Sequence, residues 1–498
     1  MKGGYTVSGT EQKYEADVIV VGGGNAGFTA AHAAAKNGRR VLLLEKGTSD
    51  DAGGNSFYTA GATRITHHGL EDLKDFIEPD ARHAMTTVPP YTSEDYAADL
   101  DRVTEGRNDK ELTKVLLEEA TETLRWLHSL GLKYRLMYER QSYQNPDGTY
   151  LFWGGLHVGN VDGGQGLMAD HTRVAGELGV EIRYGVRGKE LLTEDGKVIG
   201  VKAEVGGREI NYSAESVVLT AGGFEADPEM RSHYLGQRWS HAKVRGTPYN
   251  TGDMLNAALA VGAERGGDWS SCHSVQWDAF TPHNESNREL TNRLTRQSYP
   301  LGILVNKNGN RFLDEGADFR NYTYAKYGKR ILEQPDALAF QIFDAKTRPM
   351  LREEEYEMPD ISEVTAGTVG ELAEKLGVDP TQLQKTVSDF NSRINVEAEF
   401  DPNVKDGRRA DVEPPKSNWA EAIDTAPFFA YPVTCGITFT FGGLKTDTHG
   451  RVLDQRGQHI KGLYAAGEML GGLFANNYPG GSGLAAGCVF GRRAGQVA

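Results

Sequence analysis

DVIVVGGGNAGFTAAHAAAKNGRRVLLLEK, residues 17–46, decides the fold. The β-branched run at 17–21 has the length of a buried strand, and glycines follow it at once. An alanine-rich stretch at helical spacing comes next and is predicted to stop at Gly38, before VLLLEK supplies a second buried strand. The order is that of a βαβ unit. Within it Gly22, Gly24 and Gly27 form G-x-G-x-x-G around Asn25 and Ala26, and Glu45, followed by Lys46, ends the second strand. Gly22 permits the tight turn, Gly24 lets backbone approach a pyrophosphate, and Gly27 lets helix and strand pack closely. The helix start then faces the anion and Glu45 can accept ribose hydroxyl protons, so the unit is expected to bind a dinucleotide.

Around this unit, 498 residues suit two or three domains. A hydrophobic fraction of 39% with 25% charged residues fits a globular protein rather than a membrane body or a disordered chain. Asp plus Glu (69) exceed Lys plus Arg (54), giving −15, and no dense basic run is present to follow a nucleic-acid backbone. Cys272, Cys435 and Cys488 are too scattered for a zinc or haem motif and too few for a disulfide framework, so no metal is expected and a cytoplasmic setting is. The first residues lack a charged start with an apolar core, and no stretch reaches the roughly 20 apolar residues of a spanning helix, so neither signal nor anchor is expected.

A second G-x-G-x-x-G set between strand and helix is missing; DGGQGL (162–167) has the glycines without a preceding apolar strand. One dinucleotide is therefore expected. Near the other end, IKGLYAAGEM (460–469) reads as strand and turn with Glu468 directly after Gly467, similar to the ribityl-binding turn of FAD proteins.

These pieces, together with GGNSFYTAG (53–61), LTAGGF (219–224), NTGDMLNAALAVGA (250–263), GILVNKNGNRFLDEGADFR (302–320), FGGLKTD (441–447) and PGGSGLAAGCVFGRRAG (479–495), resemble the fumarate reductase/succinate dehydrogenase flavoprotein family, in its order across nearly the whole chain. The tricarballylate dehydrogenase-like branch is the nearest. The resemblance implies an α/β fold: a Rossmann-like, glutathione-reductase-like FAD-binding domain (15–268 and 436–498) split by an α+β substrate cap (269–435), after a tail at 1–14. DPNVKDGRRADVEPPKSNW (401–419) is expected to be a surface loop. Gly54, Asn55 and Ser56 stand where membrane fumarate reductases carry the histidine that bonds to the cofactor, so non-covalent FAD is implied. Gly61, Ala221, Gly222, Asp253, Ser482 and Leu484 complete the implied cofactor site.

The family's chemistry moves two hydrogens across a C–C bond beside an electron-withdrawing carbonyl. Hydride passes to or from flavin N5 while a proton moves at the neighbouring carbon. Arg320 matches the family's proton-donating arginine; a guanidinium also captures carboxylate, and the residue could instead pair with Asp314, Glu315 or Asp318. His273, with Gln276 as the alternative, falls in the segment of a substrate-binding histidine. Two departures follow. Thr438, Phe439 and Thr440 replace a second histidine, and NNYPGGSGL (476–484) replaces the N-R-x-G-G of a second carboxylate-clamping arginine, which disfavours fumarate and succinate.

The replacement is similar to the Tyr-Pro-Gly turn of 3-ketosteroid dehydrogenases. There Tyr478 and a backbone N–H of Gly481 or Ser482 would hold a ketone oxygen, although the ring could also simply pack on the flavin. Tyr299, Tyr322 and Tyr324 are candidates for the base. The chain is thus expected to be an FAD-dependent dehydrogenase of a keto acid, ketone or polycarboxylate, with an unidentified acceptor such as oxygen, a quinone or an electron-transfer protein. The reverse reductase and a non-catalytic flavin-fold subunit are the alternatives.

Overall fold

The computed structural model describes residues 14–281 and 286–498, so the expected tail lies outside the described residues except for Tyr14. Five parallel strands run in the order His459–Ala465, Arg208–Leu219, Tyr14–Val21, Val41–Leu44 and Glu181–Arg183. The apolar runs are continuous because both faces are covered. Val18, Val20, Val41 and Leu43 face one core, while Ile19, Val21, Leu42 and Leu44 face another. The first helix, Asn25–Lys36, packs on the first of these faces beside the last, Ser482–Val497. These two helices approach to backbone contact: a Cβ at Gly491 would lie 2.5 Å from the Ala26 carbonyl oxygen, and one at Gly495 would lie 2.1 Å from that of Ala30. No helix among the described residues is long and apolar enough to cross a membrane.

A six-stranded sheet is built around the long strand Phe428–Leu444. Its partner Arg265–Asp278 runs antiparallel to it from Arg265 opposite Leu444 to Asp278 opposite Val433. This ribbon carries the chain between the two sheets, and the expected domain boundaries at 268/269 and 435/436 both fall inside it. Its register sets His273 opposite Phe439 and Cys272 opposite Thr440.

The structure sharpens two expectations. DGGQGL does sit between a strand, Val158–Asn160, and a helix, Gly163–Glu177, but that strand belongs to a small antiparallel sheet and forms no βαβ unit. The 401–419 segment is the irregular surface stretch expected, pinned at a few points. Trp419 and Lys416 are buried, and Lys416 Nζ donates to the carbonyls of Pro300 (2.6 Å) and Gly302 (2.5 Å).

Candidate active site

One large cavity is lined at its glycine end by Gly22, Gly24, Asn25, Ala26, Glu45, Lys46, Gly54, Asn55, Ser56, Ala221, Gly222 and Asp253. The helix starting at Asn25 has no side-chain cap and no acid in its first turn, leaving N–H groups at an end that favours an anion. The Asn25 N–H already donates to Ser56 Oγ (2.9 Å). Its side chain, expected to serve the cofactor, turns inward: Nδ2 donates to the Leu484 carbonyl (3.0 Å) and Oδ1 lies 3.0 Å from His171 Nε2. Glu45 accepts from the N–H groups of Gly23 (2.7 Å) and Gly47 (2.6 Å), which fix its carboxylate while leaving lone pairs for a ribose. Lys46 pairs with Asp253 at 2.8 Å. Gly27 and Gly61 do not line the cavity. Gly27 packs on Gly22, where a Cβ would lie 1.9 Å from the carbonyl oxygen, and Gly61 packs on Gly163.

Gly467, Glu468 and Leu484 line the cavity too. Glu468 accepts from the Thr440 N–H (2.7 Å) and hydroxyl (3.0 Å). Burial and the adjacent Glu225 push its carboxyl well above the usual range. Glu225 in turn accepts from Asn250 (2.6 Å) and from Asn55 (2.7 Å), whose Oδ1 takes the Thr247 N–H. Asn55 Nδ2 also donates to the Thr438 carbonyl (2.5 Å), so three segments of chain hold its amide.

Beyond the glycine end the wall changes character. Tyr478 is buried with its hydroxyl 2.5 Å from that of Tyr324 and with the Gly481 N–H directed at it. Burial and Tyr324 raise its pKa, keeping it an O–H donor. The turn that carries it is clamped to the 320–322 segment: Gly480 N–H donates to the Asn321 carbonyl (2.8 Å) and Asn477 Nδ2 to the Tyr322 carbonyl (2.8 Å). Buried Arg64 adds a bond from Nε to the Gly480 carbonyl (2.9 Å). Ser482 requires correction as a donor. Its N–H goes to the Pro479 carbonyl (3.1 Å), its Oγ receives the Tyr96 hydroxyl (2.8 Å), and it does not line the cavity.

His273 lines the cavity, its ring 4.9 Å from those of both Tyr324 and Tyr478 and 5.3 Å from that of Phe439. Neither ring nitrogen has a partner. Burial and the Arg245 charge hold it neutral. Gln276 lies off the cavity wall, bonded to Gln341. Arg320 donates to Gln297 Oε1 (2.8 Å) and to the Arg140 carbonyl, and its Nε is free of partners. Asp314, Glu315 and Asp318 are engaged elsewhere, by Ser417, Arg311 and Arg102. Burial first, then Arg352 and Arg140, pull Arg320 well below the ordinary guanidinium range. Of the other tyrosines, Tyr322 bonds Asp99 (2.5 Å) and Tyr299 bonds Thr323 (2.6 Å), both away from the cavity wall.

Arg140 and Arg245, which no motif marks, also line this end, and Asn250 lines the cavity with Glu225 bonded behind it. In sequence the two arginines are isolated polar residues at no diagnostic spacing. Phe439 and Thr438, recognised as departures, here contact His273 and Arg245 respectively.

The sequence matches the family described as FAD binding domain over residues 17–484. It is 30% identical to a probable fumarate reductase of Shewanella frigidimarina, covering 97% of this chain and 74% of that protein. It is 28% identical to the 4-oxocyclohexanecarboxylate 2-dehydrogenase of Sinomonas cyclohexanicum, over 93% of this chain and 89% of that one. Among solved structures it is similar to a 3-ketosteroid-Δ4-(5α)-dehydrogenase from Rhodococcus jostii in complex with 4-androstene-3,17-dione, with TM-score 0.70, 26% identity and 98% of each chain covered.

Proposed function

The chain belongs to the FAD binding domain family and is an FAD-dependent oxidoreductase acting on CH–CH groups, and from that premise we propose that it desaturates a C–C bond next to the carbonyl of a small keto acid, ketone or polycarboxylate. The observation that carries this reading is the buried Tyr478 hydroxyl, 2.5 Å from that of Tyr324 and beside the Gly481 N–H. Bound FAD supplies the two-electron acceptor at its N5. The uncapped start of the 25–36 helix would hold its pyrophosphate, Glu45 the adenosine ribose and Glu468 its ribityl chain. Gly54-Asn55-Ser56 offers no histidine or cysteine for attachment, so binding is non-covalent.

Tyr478 and the Gly481 N–H donate to the carbonyl oxygen, stabilising the enolate-like charge that forms when the α-proton leaves. Tyr324, the candidate base that lines the cavity, takes the α-proton as it passes its own hydroxyl proton to Tyr478, and neutral His273 stands against both rings. Arg320 orients a carboxylate through its fork of donors. Arg320 on the cavity wall would also suit the role of the family's proton-donating arginine, and reduction of the unsaturated compound is the second reading. The three buried, unpaired thiols support a cytoplasmic setting, with oxygen, a quinone or an electron-transfer protein taking the electrons.

Anaerobic bleaching of the flavin band by cyclic ketones and keto acids tests the assignment. Tyr478→Phe is expected to slow bleaching about 100-fold or more. An unchanged rate in that variant would remove the carbonyl-polarising role from the turn.

A further inference from the structure

Resting on that reading of the cavity, we infer that Arg245, seated on Thr438, is a second anion anchor and determines specificity for substrates carrying a further carboxylate beyond the group held by Arg320. The backbone fixes its origin. Lys243 and Val244 pair in parallel with Gly436 and Ile437 of the long strand, and the Arg245 N–H donates to the Ile437 carbonyl at 2.8 Å. From there the side chain lines the cavity, with Nη1 donating to Thr438 Oγ1 (2.8 Å). Thr438 lies on the long strand beside Phe439, whose ring packs on His273.

The residue is only 8% exposed, its Nε has no partner, and among the described residues no carboxylate lies within ion-pair distance. Two other buried arginines, away from the cavity, are treated differently. Arg296 sits 2.6 Å from Asp278, and Arg311 is paired with Glu315. In the cavity wall Arg140 draws both nearby acids, Glu354 at 2.5 Å and Glu355 at 3.5 Å. Arg245 and Arg320 therefore face the cavity without an anion of their own. Burying an uncompensated guanidinium is costly, and the cost is recovered when a ligand supplies the missing charge. A planar fork with free donors matches a carboxylate. The groups whose charge bears on it are Tyr324, Tyr478, Arg140 and Glu355, the last already engaged by Arg140, and Arg245 acts in turn on His273; all stand at the substrate end rather than at the glycine turn.

The test uses the flavin-loaded protein and measures binding by calorimetry and thermal shift, with butanoate, pentanedioate and citrate as probes. Wild type is expected to bind pentanedioate about 10–100 times more tightly than butanoate, the range of one charge-assisted hydrogen-bonded contact. Arg245→Met should bring that ratio near one and raise the ligand-free Tm, because an unpaired buried cation is gone. Arg245→Lys should keep part of the preference, and Thr438→Val should weaken it while leaving the charge. A preference unchanged in Arg245→Met, or in Thr438→Val and Arg245→Lys together if the first variant does not fold, would overturn the anchor. So would a variant that shifts the flavin potential and leaves the dianion preference intact. Absence of flavin bleaching by any compound would instead count against the proposed desaturation, leaving the binding ratio to decide the anchor.

Discussion

The two ends of the cavity are built on opposite terms. At the glycine end, apart from the helix-start N–H groups, the side chains that line the cavity are largely bonded to the protein: Glu45 holds two backbone N–H groups, Lys46 holds Asp253, and Asn55 is bonded on both sides of its amide. At the far end His273 has two unpartnered ring nitrogens, and Arg245 and Arg320 each have an unpartnered Nε. An unmade buried hydrogen bond costs about 1–3 kcal/mol. The first region is therefore a preassembled cradle, and the second stores unmet polar demand that a ligand can meet.

This contrast predicts effects of opposite sign. The largest is expected at Gly27, where a Cβ would meet the Gly22 carbonyl oxygen at 1.9 Å and Thr220 Oγ1 at 2.8 Å. Gly27→Ala should cost about 3 kcal/mol, the upper part of the overpacking range, and strip FAD during gel filtration; retention of full flavin at unchanged Tm would break the cradle account. Next comes His273→Leu, which removes two unsatisfied nitrogens and should raise the ligand-free stability by about 1–3 kcal/mol while impairing turnover. A fall in Tm would mean that the far end is not under polar demand. The smallest effect belongs to Lys46→Met. Asp253 keeps Arg187 at 2.7 Å, so denaturant unfolding should shift by no more than about 1 kcal/mol. A larger loss would show the ion pair to be essential to the cradle.

The same contrast explains what could be read in advance. The strand–glycine–helix–strand order over 17–46 was legible because each step uses contiguous residues: β-branched strand, glycine turn, alanine helix, terminal acid. Tyr478 was legible for a similar reason, since its turn advertises itself with proline and glycines. Its neighbours were not. The Tyr324 hydroxyl that meets it is 154 positions away, and in sequence it is one of three tyrosines near Arg320. Ser482 was assigned a donor's role that the helix start withdraws, because the turn closes on the Pro479 carbonyl.

By itself the sequence determined the nucleotide cradle, since backbone conformation at a glycine turn is set by residues adjacent in the chain. Tertiary structure alone decided the far end. There Arg140, Arg245, His273, Arg320, Tyr324 and Tyr478 meet only because a two-stranded ribbon and a clamped turn bring distant segments to one wall. Whether a buried cation finds a carboxylate or is left for a ligand depends on those distances, and no local pattern encodes them.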